Sequence, residues 1–152
     1  MYLTRMELNT RNMDTIRLLG SQEKIHGMVE SGFSGERKRN LWRLESLGDR
    51  LYLLILSSDR PDLSSGVRRY CFPDDENAYQ TKDYTPLLGR VKNDTWWHFK
   101  LVANPPKSVV GTQGERGHVK AHCSLKHPEE WLTHRAQKHD FELMPENFTL
   151  LQ

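Results

Sequence analysis

The stretch NLWRLESLGDRLYLLILS, residues 40–57, decides how the chain folds. Asn40 to Leu47 alternates apolar and polar side chains, the period of a strand with one buried face. Gly48 and Asp49 supply turn chemistry, and Arg50 to Ser57 follows as a near-continuous apolar run. Such a run suits a central strand buried on both faces. The pair is expected to form a hairpin closed by a short glycine-containing loop.

Toward the amino end, residues 2–9 read as a first strand and Asn9 to Asp14 as turn material. Ile16, Leu18 and Leu19 suggest a short helical piece. A longer helix is expected over 22–32, with Ser21 as its N-cap and Ile25, Met28, Val29 and Phe33 as its apolar stripe. Toward the carboxyl end, a short helix is expected from Pro61, then a long polar connection over 72–94. Thr95 to Ala103, TWWHFKLVA, reads as a strand, with Trp97, Phe99 and Leu101 on one side. The order is β-α-β-β-α-β over residues 1–104, the ferredoxin-like arrangement of an α+β fold. Residues 105–152 supply a glycine-rich loop, a strand (HVKAHCSL), a helix (Pro128 to His139) and an extended FTLLQ. They are expected to form a second, incomplete ferredoxin-like unit.

The 152 residues are 36% hydrophobic and 28% charged, with a mean hydropathy of −0.74. No run approaches the roughly 18 apolar residues of a membrane span, and MYLTRMELNT lacks the apolar core of a signal peptide. A cytoplasmic location is expected. Two cysteines, Cys71 and Cys123, make no disulfide framework. The net charge of +2 permits a nucleic-acid partner without requiring one. Local clustering is more informative: Arg37, Lys38, Arg39 and Arg43 form one basic set, and Lys107, Arg116, Lys120 and Lys126 a looser second.

His26 is expected in the first turn of the helix at 22–32, among its unpaired N–H groups, on the flank of the apolar stripe and just before the first basic set. An imidazole can accept or give a proton, and nearby cations can hold a polyanion and stabilise charge developing on phosphorus. The remaining histidines and Cys123 lack CxxC or HExxH spacing, so neither a metal nor another cofactor is expected.

Four segments carry a resemblance to a known family: the opening MYLTRMEL, the helix with His26, the strand RKRNLWRLE, and FKLVANPPKSV. The last is similar to that family's F-x-L-x-A-N-P-x-K motif. The chain resembles the CRISPR-associated endoribonucleases of the CasE type, which process precursor CRISPR RNA in type I-E systems. The resemblance extends more weakly through HVKAHCSL and EEWLTHRAQKHDFEL, and so over essentially the whole chain. It implies two tandem ferredoxin-like, RNA-recognition-like units that cleave a repeat hairpin without metal. In that scheme a 2′-hydroxyl attacks the scissile phosphate, leaving a 2′,3′-cyclic phosphate and a 5′-hydroxyl. His26 matches the family's catalytic histidine. Arg37, Lys38, Arg39, Arg43, Lys107, Arg116 and Lys120 are the expected RNA contacts. The implied partners are the repeat hairpin and the other subunits of the type I-E interference complex.

Three departures from the family pattern stand out. Glu23 occupies the place where the family often has a tyrosine, and a carboxylate neither donates a proton as a phenol does nor welcomes phosphate. Gly27 and Ser31 stand where some relatives carry basic residues. The glycine-rich loop near the family's C-terminus, with its preceding strand and helix, has no counterpart here. A C-terminally truncated member is therefore expected, with self-association through the incomplete unit as one consequence. A non-catalytic RNA-binding or scaffolding protein on the same fold is the alternative.

Overall fold

The computed structural model describes residues 1–36, 38–103, 106–109, 118–121, 126–147 and 149. The chain divides into two units, Met1–Trp97 and His98–Gln152, a little before the boundary expected at 104–105.

In the first unit the elements run β1 (Tyr2–Leu8), α1 (Met13–Leu19), α2 (Gln22–Glu30), β2 (Leu41–Leu47), β3 (Arg50–Ser57), α3 (Ser64–Tyr70), β4 (Tyr79–Asp83) and α4 (Thr85–Leu88). The strands form one antiparallel sheet in the order β2-β3-β1-β4. This is the α+β, ferredoxin-like arrangement expected from the sequence. Register follows from the alternation of side chains. Met6 stands opposite Leu53 on one side and Tyr79 on the other, and Thr4 opposite Ile55 and Thr81.

Met6, Leu8, Leu53 and Ile55 turn one sheet face toward the helices, where they are buried with Leu18, Ile25, Met28, Val29 and Leu63. On the opposite face Tyr52 is also buried, and the Arg5 guanidinium lies 5.1 Å from its ring centroid. Beside it, Arg50 pairs with the buried Glu7 at 3.1 Å. The apolar run of β3 is thus covered on one face by helices and on the other by a cation, a ring and an ion pair.

Caps define the helices. The Asn12 side chain accepts from the Asp14 N–H at 2.8 Å to start α1, and Ser21 starts α2. Three contacts fasten α1 to α3: Asn12 donates to the Arg69 carbonyl, Thr15 donates to the Tyr70 carbonyl, and Arg69 pairs with Asp14 at 3.1 Å. The Arg69 hydrogen bond holds the Asp14 carboxyl below the usual carboxylate range. A depressed carboxyl contributes stability above its unfolded-state pKa and loses it as the pH falls through the folded one. This staple therefore weakens only in strong acid.

Three expectations are corrected. The fourth strand is Tyr79–Asp83, inside the stretch read as a connection, and Thr95 to Ala103 forms no strand. Only a few alternating positions of YQTKD face the core, because an edge strand needs backbone bonds along one side and little apolar surface. It is held by its ladder to β1, by the Thr4–Thr81 hydroxyl pair at 2.9 Å and by the Tyr79 hydroxyl on the Pro61 carbonyl. With that position filled, Trp97 and Phe99 are not core: they are 40% and 59% exposed. The helix expected from Pro61 begins at Ser64, after an Asp62 side chain has taken the Ser64 N–H.

In the second unit β5 (Pro106–Val109) and β6 (His118–Ala121) make an antiparallel ribbon. It is followed by α5 (Lys126–Lys138) and a single 3-10 turn at Pro145–Asn147. Leu132 and Ala136 are buried, and Phe99 meets Phe141 edge-on at 6.5 Å. The FTLLQ segment, apart from Thr149, lies outside the described residues.

Two predictions follow from this packing. A Cβ on Gly32 would lie 2.4 Å from Leu63 Cδ2 and 3.2 Å from the Asp62 carbonyl oxygen. Gly32→Ala should therefore cost about 1–3 kcal/mol of unfolding free energy, measured by urea titration, as overpacking does. Cys71 is buried, and that burial pushes its thiol up to about 12. In a Cys123→Ser background at pH 8, a thiol reagent should label Cys71 only as the protein unfolds.

Candidate functional site

The site is built on α2. Ser21 is extended at φ −149°, and its hydroxyl accepts from the Lys24 N–H at 3.4 Å, fixing where the helix starts. The Ile25 N–H then reaches the Ser21 carbonyl at 3.2 Å. His26 consequently opens the second turn. It sits one turn past the uncapped N–H groups of Gln22 and Glu23, rather than among them as the sequence suggested.

Burial of Ile25, Met28 and Val29 fixes the rotation of α2 about its axis. His26, Gly27 and Glu30 fall on the flank and form one wall of a cavity of about 340 Å³. The loop after α2 makes the opposite wall through Phe33, Ser34, Gly35, Glu36, Lys38 and Asn40, with Asp59 from the end of β3. Gly35 turns this loop at φ +98°, a conformation that side-chain-bearing residues rarely adopt. One contact braces the loop wall from within and one ties it to α2. Lys38 Nζ lies 2.7 Å from Asp59 Oδ2, and Asn40 Nδ2 donates to Glu30 Oε1 at 3.2 Å.

The structure places the expected RNA contacts unequally. Lys38 shares the cavity with His26. Arg39 is exposed and lines no part of it, and Arg37 lies outside the described residues. Arg43 is in β2 on the sheet face away from the helices and pairs with Glu45 at 3.2 Å. Register sets Lys107 of β5 opposite Lys120 of β6, while their side chains, and Arg116, lie outside the described residues. Among the described residues no three His, Cys, Asp or Glu side chains are grouped to hold a metal ion.

Sequence reasoning did not select Glu30, Glu36, Asn40 or Asp59. Glu30 was findable, since it follows His26 by one helical turn. Asp59 carried no local signal, because its place depends on where β3 ends. Glu23, the residue expected to repel phosphate, is exposed and outside the cavity. The carboxylates that line it are Glu30, Glu36 and Asp59.

A ferredoxin-like α+β domain that holds a histidine and a lysine in one cleft is the class of protein this structure defines. Residues 1–151 match the family described as CRISPR associated protein, and the chain belongs to that family. Among solved structures it is similar to the CRISPR endoribonuclease Cse3 bound to a 19-nucleotide RNA, with a TM-score of 0.59 and 23% identity. That match covers 91% of this chain and 63% of the other, so the chain spans less than two thirds of that protein's length. No curated protein matches it by sequence. Among the described residues, no helix is long and apolar enough to cross a membrane.

The Lys38–Asp59 pair is about half exposed on both sides, and such pairs contribute at most about 1 kcal/mol. Asp59→Asn should therefore leave the urea midpoint nearly unchanged.

Proposed function

We propose that the chain is a metal-independent endoribonuclease that cleaves repeat hairpins in precursor CRISPR RNA, supplying guide RNA to a type I-E interference complex. The observation that carries this reading is that His26 and Lys38 line one cleft in a chain of this family. The likeness to an RNA-bound endoribonuclease supports it at the level of fold.

The reaction needs three things. A base must take the proton from the 2′-hydroxyl as that oxygen attacks the adjacent phosphorus. An acid must protonate the departing 5′-oxygen, and a cation must offset charge on the phosphoryl oxygens. The P–O5′ bond breaks as the 2′-O–P bond forms, giving a 2′,3′-cyclic phosphate and a 5′-hydroxyl. His26 serves as the general base or the general acid. Lys38 is the phosphate contact from the cleft itself, Arg37 and Arg39, its neighbours in sequence, are further RNA contacts, and Arg43, on the sheet face away from the helices, would meet RNA outside the cleft. Lys107, Arg116 and Lys120 hold RNA on the second unit. The complex's other subunits are the partners to which the product passes.

One observation favours a second reading, a non-catalytic RNA-binding subunit. Glu30, Glu36 and Asp59 outnumber the cations lining the cleft, and Asp59 already occupies Lys38. Phosphate must displace that pairing before Lys38 can act.

The test is incubation in EDTA with a labelled repeat hairpin and with a 2′-deoxy version at the scissile position. The expected result is cleavage of the first alone to a cyclic-phosphate end, lost in His26→Ala while hairpin affinity stays within a few fold. Hairpin binding without any cyclic-phosphate product would establish the second reading. Cleavage abolished by EDTA would overturn the metal-independent scheme.

A further inference from the structure

On the other flank of α2, away from His26, a second and larger groove of about 510 Å³ lies among α1, α2 and α3. Lys24 and His26 are two residues apart, and at about 100° per residue they point roughly 200° apart around the helix. The groove is therefore distinct from the cleft described above. Each of the three helices sends one cation into it: Arg17 from α1, Lys24 from α2 and Arg69 from α3. The residues lie far apart in sequence, and only the packing of the helices brings them together.

A single carboxylate, Asp14, faces these three cations. It takes the Arg69 Nε at 3.1 Å and a long contact from Arg17 Nη1 at 3.4 Å. Arg69 is bound through Nε, so its terminal nitrogens have no acceptor among the described residues, and neither does Lys24 Nζ. The helix-to-helix staple accounts for Asp14 and one edge of Arg69, and it leaves a surplus of positive charge. The Arg69 guanidinium also sits 5.4 Å from the Tyr70 ring centroid, and Ser65 adds a hydroxyl at the edge.

We propose that this groove holds a single-stranded RNA segment flanking the substrate hairpin, a contact that rests on the hairpin-cleaving reading above. Lys24 and the unbound terminal nitrogens of Arg69 suit phosphates, since the one carboxylate is already shared between Arg17 and Arg69. Tyr70 packs against the core and carries the Arg69 guanidinium on its ring, so the outer face of that exposed guanidinium is the plane on which a base can stack. An acidic peptide would use the charge and leave that plane idle. The volume is that of a pocket for a small organic molecule, on the order of one or two nucleotides. A helix with its side chains is about 10–12 Å across, so a strand leaving the His26 cleft reaches the groove within a few nucleotides.

The experiment measures anisotropy of a bare hairpin, the same hairpin with a short uridine flank on either side, and the flank alone, over a salt series. The proteins are the full chain and its Arg17→Glu/Lys24→Glu variant, with Arg17→Gln/Lys24→Gln as a milder second form, all checked by circular dichroism. Both positions are exposed and lie outside the His26 cleft. One flanked hairpin should bind the wild-type chain more tightly than the bare one. Charge reversal should remove that advantage, about tenfold, and lower the salt slope by about 1.4, since each single-strand phosphate contact contributes about 0.7. Bare-hairpin affinity should not move.

Equal wild-type binding of bare and flanked hairpins overturns the proposal, as does an advantage that survives charge reversal. So does sensitivity of polyglutamate binding to the variant while the flanks stay inert, which would assign the groove to an acidic protein segment. If the wild type binds no hairpin, the hairpin reading has failed separately. The flank alone then decides: binding lost on charge reversal upholds the groove, and its absence overturns it.

Discussion

Helix α2 is pinned at both ends, and the geometry of both clefts follows from that. Its amino end is set by the Ser21 hydroxyl on the Lys24 N–H. Its carboxyl end is followed by Gly32, where a Cβ would lie 2.4 Å from Leu63 Cδ2 and force Leu63 to shift. Between them Ile25, Met28 and Val29 are buried with Met6, Leu53 and Ile55 of the sheet. A helix fixed at two ends and along one stripe cannot rotate. His26 and Glu30 must then face the loop over Phe33–Asn40, and Lys24 must face α1 and α3.

Charge is distributed differently over the three surfaces of the first unit. On the sheet face away from the helices two arginines are paired, Arg50 with Glu7 and Arg43 with Glu45, and Arg5 lies over the Tyr52 ring. The His26 cleft mixes a lysine with three carboxylates. The α1–α2–α3 groove has more cations than carboxylates. A net charge of +2 for the whole chain conceals this. For a polyanionic partner the local excess matters more than the sum, because fields from charges beyond about a Debye length are screened.

Much of the fold was legible in the sequence. The strands at 2–8, 41–47 and 50–57 announced themselves by alternation or apolar runs, and α2 by its stripe and its serine cap. The fourth strand did not. YQTKD is short and polar because the edge of a sheet asks for backbone bonds on one side only. The louder signal at Thr95 to Ala103 misled for the converse reason. Strand propensity describes a residue's fit to a pleated, half-buried surface, and in this structure no such surface was left in the first sheet. Trp96, Leu101 and Val102 stay exposed accordingly.

The sequence by itself determined the class of fold, the helix that carries His26, and membership in the family, since these depend on local periodicity, capping and motif spacing. It also marked His26 and Lys38 as residues to watch. Only the tertiary structure decided their company. Asp59 reaches Lys38 from the end of β3, Asn40 reaches Glu30 across the loop, and Arg17, Lys24 and Arg69 converge from three helices. The physical reason is the same in each case. A charge's neighbours within a few ångströms are set by how the elements pack on the core, and residues distant in sequence give no local sign that packing will bring them together.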